Sequence, residues 1–457
     1  MSVRIIITVL VGCTISAFPS AAWAGQAIPK GYLLVQDVAT YHTSRYGAIS
    51  TAAEAEKIFS ALTGKLDGVE LGTLFYDKQD LKAHRLVAET ASKYRIHCWA
   101  TSFKLLERLR LPVPLEYQAW VMEPGGRIKP AVYPGDRASP AGRAILDLLN
   151  PQATGWFIGK YQEIYLYPFK GLLSGLFLNE DVISYVGEWS NDHRYDYWNN
   201  ATYSPSVLEQ WRNYCKANGV LYRGKVVDKF PVHRPEMVSQ GSGMTAFYPG
   251  YDLPEKIYPG QRFTELPRPQ GVWQHWYNFL GKIFIQNWLT KLAAAANQVN
   301  AGNPEWLGVV YFNIFPWSLP YEEIENPELR VPGRHRWGAW GKQRGIDLAY
   351  LSRQPEITAI ICETYPPVAD NLDLFVGEFQ RIVRRGNKIF GLMLHRDDRW
   401  PLESAEEKAR WQLLEKYQPT IIARIPLKHM LHWDQYFRRE EEDRFNKKWR
   451  EYRSSGN

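Results

Sequence analysis

Short apolar runs alternate along the chain with longer stretches whose apolar residues recur at helical spacing. The runs at 32–38, 69–76, 95–101, 172–178, 307–315, 357–362, 388–394 and 420–425 predict strands. Between and around them, periodicity near 3.6 predicts helices at 51–62, 80–94, 151–165, 205–218, 272–300, 372–385 and 403–417. The helix at 205–218 has the sharpest boundaries: Ser204 can cap it, Pro205 suits its first turn, and Gly219 can end it. Residues 111–139 and 230–269 are rich in Pro and Gly and predict loops. Residues 438–453 predict a charged, solvated helix.

Strands apolar on both faces, each followed by a helix, are the pattern of a parallel sheet wrapped by helices. No internal repeat or low-complexity linker divides the chain. The fold class expected is therefore α/β, a single (β/α)8 TIM barrel with long loop insertions over residues 25–437, followed by the charged tail 438–457. A length of 457 residues suits one such barrel with elaborated loops.

Residues 1–24 read as an export signal. Arg4 supplies a basic start, residues 5–15 are apolar, and Ala22-Trp23-Ala24 places small residues at a cleavage site. The apolar run is too short to span a bilayer, and no other segment reads as transmembrane. Periplasmic or secreted localisation is expected. Leu10-Val11-Gly12-Cys13 also resembles a lipobox, which would leave Cys13 lipid-anchored. After cleavage at Ala24, Cys98, Cys215 and Cys362 remain. They form no C-x-x-C pair, so neither a zinc nor a redox motif is expected. Cys98 and Cys362 lie in apolar runs and read as buried thiols.

The net charge of +7 is joined by no nucleic-acid-binding motif, which excludes that function class. It leaves an anionic polysaccharide open as a partner. Aromatic residues reach 14%, with 18 Trp and 27 Tyr. Their faces can stack on the C–H faces of sugar rings, or they can simply fill the core. No Gly-rich phosphate loop, G-x-S-x-G elbow or H-E-x-x-H helix is present, and His193 between Asp192 and Asp196 makes no metal site. No cofactor is implied.

In a parallel barrel the strand C-termini open into one shared mouth, where catalytic residues sit. Carboxylates that directly follow apolar strands therefore carry weight. Glu180 ends the fourth run, Gly175-Leu176-Phe177-Leu178-Asn179-Glu180. Glu363 ends the run 357–362. Cleavage of a glycosidic bond needs one carboxylic acid to protonate the leaving oxygen and a second carboxylate as nucleophile or base. Glu180 is expected as the acid and Glu363 as the second group, with Asp397, Asp398, Asp181 and Glu188 as rivals. Asn179, Asp37, His42, Trp99, Trp189, Asn313, Trp317 and Tyr365 lie in or just beyond strands and are candidate sugar contacts.

Asn179-Glu180 at the end of a fourth strand resembles the acid/base signature of clan A glycoside hydrolases. The stretch from Glu188-Trp189 to Tyr203-Ser204-Pro205-Ser206-Val207-Leu208-Glu209-Gln210-Trp211 is similar to family 42 β-galactosidases and related hydrolases, which share a Tyr-Ser-Pro-then-helix segment. The resemblance covers residues 172–367. It implies that Glu180 is the acid/base and that a nucleophilic Glu closes the seventh strand. The chain departs there: Glu363 ends the sixth predicted strand, and the seventh ends at Met393-Leu394-His395. Glu363 becomes seventh if a strand lies near 225–230. Otherwise the nucleophile has moved or is lost. Two further readings follow, a non-catalytic carbohydrate-binding barrel and an envelope polysaccharide assembly protein that uses its basic surface and C-terminal helix.

Overall fold

The computed structural model describes residues 27–35, 51–71, 78–101, 112–122, 128–133, 143–179, 203–230, 233–238, 245–247, 271–314, 319, 323–330, 346–364, 371–394, 405–424 and 440–455. Eight strands close a parallel barrel in chain order. They are β1 (Tyr32–Val35), β2 (Gly68–Leu71), β3 (His97–Thr101), β4 (Gly175–Asn179), β5 (Val309–Ile314), β6 (Ala359–Cys362), β7 (Ile389–Leu394) and β8 (Ile421–Arg424). The ring closes where Tyr32 of β1 pairs with Ile421 of β8. Every predicted strand is present. The segment near 225–230 holds only a two-residue strand, Lys225–Val226, paired with Leu221–Tyr222 outside the barrel. Glu363 therefore ends the sixth strand, not the seventh.

Helices surround the barrel: α1 (Ala52–Leu62), α2 (Lys78–Lys93), α3 (Pro151–Tyr161), α4 (Pro205–Ala217), α5 (Gly271–Phe284), α6 (Thr290–Val299), α7 (Leu348–Ser352), α8 (Leu372–Arg385), α9 (Ala405–Tyr417) and α10 (Glu440–Ser454). Local chemistry fixes their starts. Thr51 and Glu54 form a reciprocal capping box on α1. Ser204 Oγ accepts from the Val207 N–H of α4, Pro205 follows it, and Gly219 takes φ +60° beyond the helix end.

The apolar residues divide into two shells. An outer core, with Val69, Leu71, Cys98, Leu176, Leu178, Val309, Ile360 and Cys362, packs strands against helices. An inner core, with Tyr32, Leu34, Trp99, Phe177, Val310, Phe312, Ile361, Met393 and Ala423, fills the barrel. Glycines make room in it: a Cβ on Gly175 would lie 2.3 Å from Trp99 Cζ3, and one on Gly68 would lie 2.3 Å from Tyr32 Oη. The predicted loop 111–139 carries the antiparallel pair Trp120–Met122 with Ile128–Pro130, and its Val132–Tyr133 pairs with Arg143–Ala144 beyond it.

The C-terminal helix differs from the solvated reading. Phe445, Trp449 and Tyr452 recur at helical spacing and make one narrow aromatic stripe between charged residues. That stripe packs beside β8: Phe445 meets Trp411 of α9 and Arg424 at the end of β8, and Trp449 and Tyr452 reach the N-terminal end of the barrel. Trp449 Nε1 donates to Gly31 O at 2.7 Å, and Tyr452 Oη to Pro419 O at 2.8 Å. Arg453 pairs with Asp67 at 2.7 Å, and the Arg424 guanidinium lies 4.0 Å from the Phe445 ring centre. Deleting α10 would therefore uncover apolar surface beside β8 as well as remove charged residues.

Candidate active site

The strand C-termini converge on one face, and Glu363 lies there. In β6, Ala359 and Ile361 belong to the inner core and Ile360 and Cys362 to the outer. The same alternation puts Glu363 on the inner side, where it is 6% exposed. Thr364 follows, fully buried, and its Oγ1 donates to Met393 O at 2.7 Å. That bond ties the end of β6 to the end of β7 and holds the backbone at Glu363. Burial, with the charge of Glu363 adding to it, pushes the neighbouring Cys362 thiol well above its ordinary pKa. The thiol therefore stays protonated, and Cys98, Cys215 and Cys362 are all buried and free.

Asn179 is the last residue of β4 and pairs with Phe312 of β5. Asn313 lies in β5 where the register with β6 shifts between Tyr311 and Ile314, a local irregularity at the mouth end. Glu180, which follows Asn179 directly, lies outside the described residues, as do Asp37, His42, Trp189, Trp317, Tyr365, Asp181, Glu188, Asp397 and Asp398.

Trp99 is placed where no sugar ring reaches it. It is fully enclosed in the barrel, its indole closes over Gly175, and its Nε1 donates to Tyr32 Oη at 2.9 Å. Tyr32 Oη is also 3.0 Å from His97 Nδ1, and the Tyr32 and His97 rings stack at 5.7 Å. Burial lowers the His97 pKa and raises that of Tyr32. These side chains form a plug at the N-terminal half of the barrel. Much of the aromatic content is likewise structural: Tyr203, Trp211, Trp276, Phe230 and Phe279 pack against one another, some edge to face and some stacked, around α4 and α5.

Several buried carboxylates escaped the sequence reading, among them Glu70, Asp147, Asp347 and Glu378. Glu70 stands inside β2 at 4% exposure; its signal was a lone acid between Val69 and Leu71. Asp147 is buried between the excursion after β3 and the start of α4. It accepts from Ser204 Oγ at 2.5 Å and from Leu149 N at 3.1 Å, and its own N–H donates to Tyr117 O at 2.9 Å. Tyr203 N also donates to Trp120 O at 3.1 Å. The excursion is thus stapled to the helix that follows the β4 loop. Burial pushes the Asp147 carboxyl up to about 6, against the lowering pull of Ser204 and two backbone N–H groups.

A raised carboxyl in the folded state binds its proton more tightly than in the unfolded chain. Its contribution to stability is full below about pH 4 and is lost as pH rises through about 6. Raising the carboxyl from its ordinary value to about 6 corresponds to roughly 3 kcal/mol. Asp147→Asn removes this dependence, so between pH 4 and 7 the variant gains on the wild type in urea unfolding. Parallel stability curves for the two proteins would contradict the assignment.

Among the described residues, no group of three His, Cys, Asp or Glu side chains could hold a metal ion. No helix among them is long and apolar enough to cross a membrane.

No family model matches the chain, and no curated protein matches it. Solved structures resemble it, and three of them are as follows. The PgaB (BpsB) glycoside hydrolase domain of Bordetella bronchiseptica is 11% identical, with 92% of this chain and 98% of that one covered and a TM-score of 0.45. A candidate alpha-L-fucosidase of Bacteroides thetaiotaomicron is 8% identical over 98% and 99%, at 0.41. A GH5-4 broad specificity endoglucanase from an uncultured bacterium is 8% identical over 90% and 88%, at 0.37. None of the three is described as a family 42 enzyme. Likeness at this level carries no functional argument, and the barrel assignment rests on the closed strand order alone.

Proposed function

We propose that the chain is a glycoside hydrolase that cleaves a glycosidic bond of an extracellular or envelope polysaccharide at the C-terminal mouth of its barrel. The observation that carries this reading is Glu363, a buried carboxylate directly after β6 on the inward-facing alternation of that strand. Glu180 is its partner in the proposal: in the sequence it directly follows Asn179, the last residue of β4, and the strand C-termini of such a barrel open into one mouth. Glu180 protonates the leaving oxygen. Glu363 attacks the anomeric carbon, or activates water if the two carboxyl groups stand further apart. In this reading residues 1–24 export the protein, residues 25–437 form the catalytic barrel, and the substrate is met outside the cytoplasm.

The test is hydrolysis of polysaccharide and 4-nitrophenyl glycosides by Glu180→Gln. The amide cannot donate the proton, so turnover is expected to fall by about 10²- to 10⁴-fold. Wild-type turnover in this variant sinks the assignment.

One observation favours a second reading, a barrel that binds carbohydrate without cleaving it. β7 ends at Met393-Leu394, and Glu363 follows β6. That reading predicts glycan affinity with no turnover in the wild type.

A further inference from the structure

Beyond α4 the chain turns back in a short hairpin that stands outside the barrel. Leu221 pairs with Val226 and Tyr222 with Lys225, around a two-residue turn of Arg223 and Gly224. Its root is fixed. Val220 and Val227 are buried in the outer core, Val227 N donates to Val220 O at 3.0 Å, and Trp211 Nε1 donates to Lys229 O at 2.9 Å. The tip is open. Directly opposed residues of an antiparallel pair lie on one face. Leu221 and Val226 therefore make a single aliphatic step there, 57% and 48% exposed.

Cations surround that step. Arg212, Lys216, Arg223, Lys225 and Lys229 are all exposed, and Asp228 is the one acid between residues 210 and 230. None of the five cations forms an ion pair among the described residues. The turn itself adds a second observation. Arg223 takes φ +50° and Gly224 φ +77°. Two-residue turns with positive φ at both positions favour Asn-Gly or Asp-Gly, and a long side chain is an unfavourable choice at the first of them. Turn chemistry alone does not account for a cation at the outermost point of the hairpin. A local rule broken in this way is expected where a residue serves function.

We propose that this hairpin is a docking surface for an anionic lipid bilayer, with its Lys and Arg side chains at the headgroup phosphates and Leu221 and Val226 at the acyl boundary. The two parts of the surface match the two layers of that partner: cations meet anionic headgroups, and aliphatic side chains gain by leaving water for hydrocarbon. Leu221 and Val226 offer a polysaccharide no hydrogen bond. A second copy of the same hairpin would meet like charge, and lysine on so short a strand blunts edge-to-edge pairing. The inference does not depend on the glycoside hydrolase reading.

The experiment is co-sedimentation of the full chain with vesicles of phosphatidylglycerol mixed into phosphatidylcholine and with vesicles of phosphatidylcholine alone. Polygalacturonate serves as an anionic polymer without acyl chains. Binding to the phosphatidylglycerol vesicles is expected, weakening as salt rises. Arg223→Gln with Lys225→Gln is expected to weaken it by about tenfold to thirtyfold. Leu221→Ser with Val226→Ser is expected to weaken it by about tenfold and to leave any polygalacturonate binding unchanged. Arg223→Asn, which suits the positive-φ turn, is expected to hold or raise Tm and still weaken vesicle binding. Vesicle binding that is equal in the wild type and both paired variants would belong to the apolar run at residues 5–15 and overturns the proposal. Binding indifferent to phosphatidylglycerol overturns it too. Binding to polygalacturonate with none to vesicles makes the partner an anionic polymer and also overturns it.

Discussion

Glu363→Gln is expected to lower kcat by about 10²- to 10⁴-fold while leaving the fold intact. The amide is nearly isosteric with the carboxyl, and Thr364, which holds the backbone through Met393 O, is untouched. What the amide lacks is the negative charge needed to attack an anomeric carbon or to take a proton from water. The check is steady-state turnover of the best glycoside found for the wild type, with Tm measured beside it. An unchanged kcat would remove Glu363 from the chemistry. A lost kcat together with a lost Tm would make it a structural carboxylate.

Trp99→Ala is expected to cost about 3–5 kcal/mol of stability, the range for emptying a packed aromatic site. The indole lies against Gly175 and Gly68, positions where no Cβ fits beside it, so these two residues supply no side chain to fill the hole. The substitution also removes the Nε1 donor to Tyr32 Oη. Urea unfolding reads the loss directly. If Trp99 were instead a sugar platform, the variant would keep near-wild-type stability and lose saccharide affinity, the opposite pattern.

These two residues show what the sequence made legible. The eight strands were readable because strands of a parallel barrel are buried on both faces, so each stands out as an apolar run. The α4 boundaries were readable because Ser204, Pro205 and Gly219 each act locally. Glu363 was readable because a charged residue directly after such a run lands at the mouth. Its ordinal place also came out as counted: the hairpin at Leu221–Val226 stays outside the barrel and leaves Glu363 on β6.

The remainder needed three dimensions. An inward and an outward aromatic look alike in a run apolar on both faces, so Trp99 could be read as cleft or core. Only register and the glycines at 68 and 175 decide it. Glu70 was hidden because a single acid in an apolar strand gives no hint of which shell it enters. In α10, charged residues mask the Phe445-Trp449-Tyr452 stripe, and pairings such as Arg453 with Asp67 join parts of the chain far apart in sequence. Asp147 and Ser204 are likewise brought together only by the fold.

The measurement that bears most directly on the central claim is the separation of the Glu180 and Glu363 carboxyl groups in a crystal of the protein with a bound saccharide. The account predicts both side chains facing one mouth, about 5–5.5 Å apart for a retaining enzyme or about 6.5–9.5 Å for an inverting one. Carboxyl groups much further apart, or a saccharide bound away from both, would contradict it.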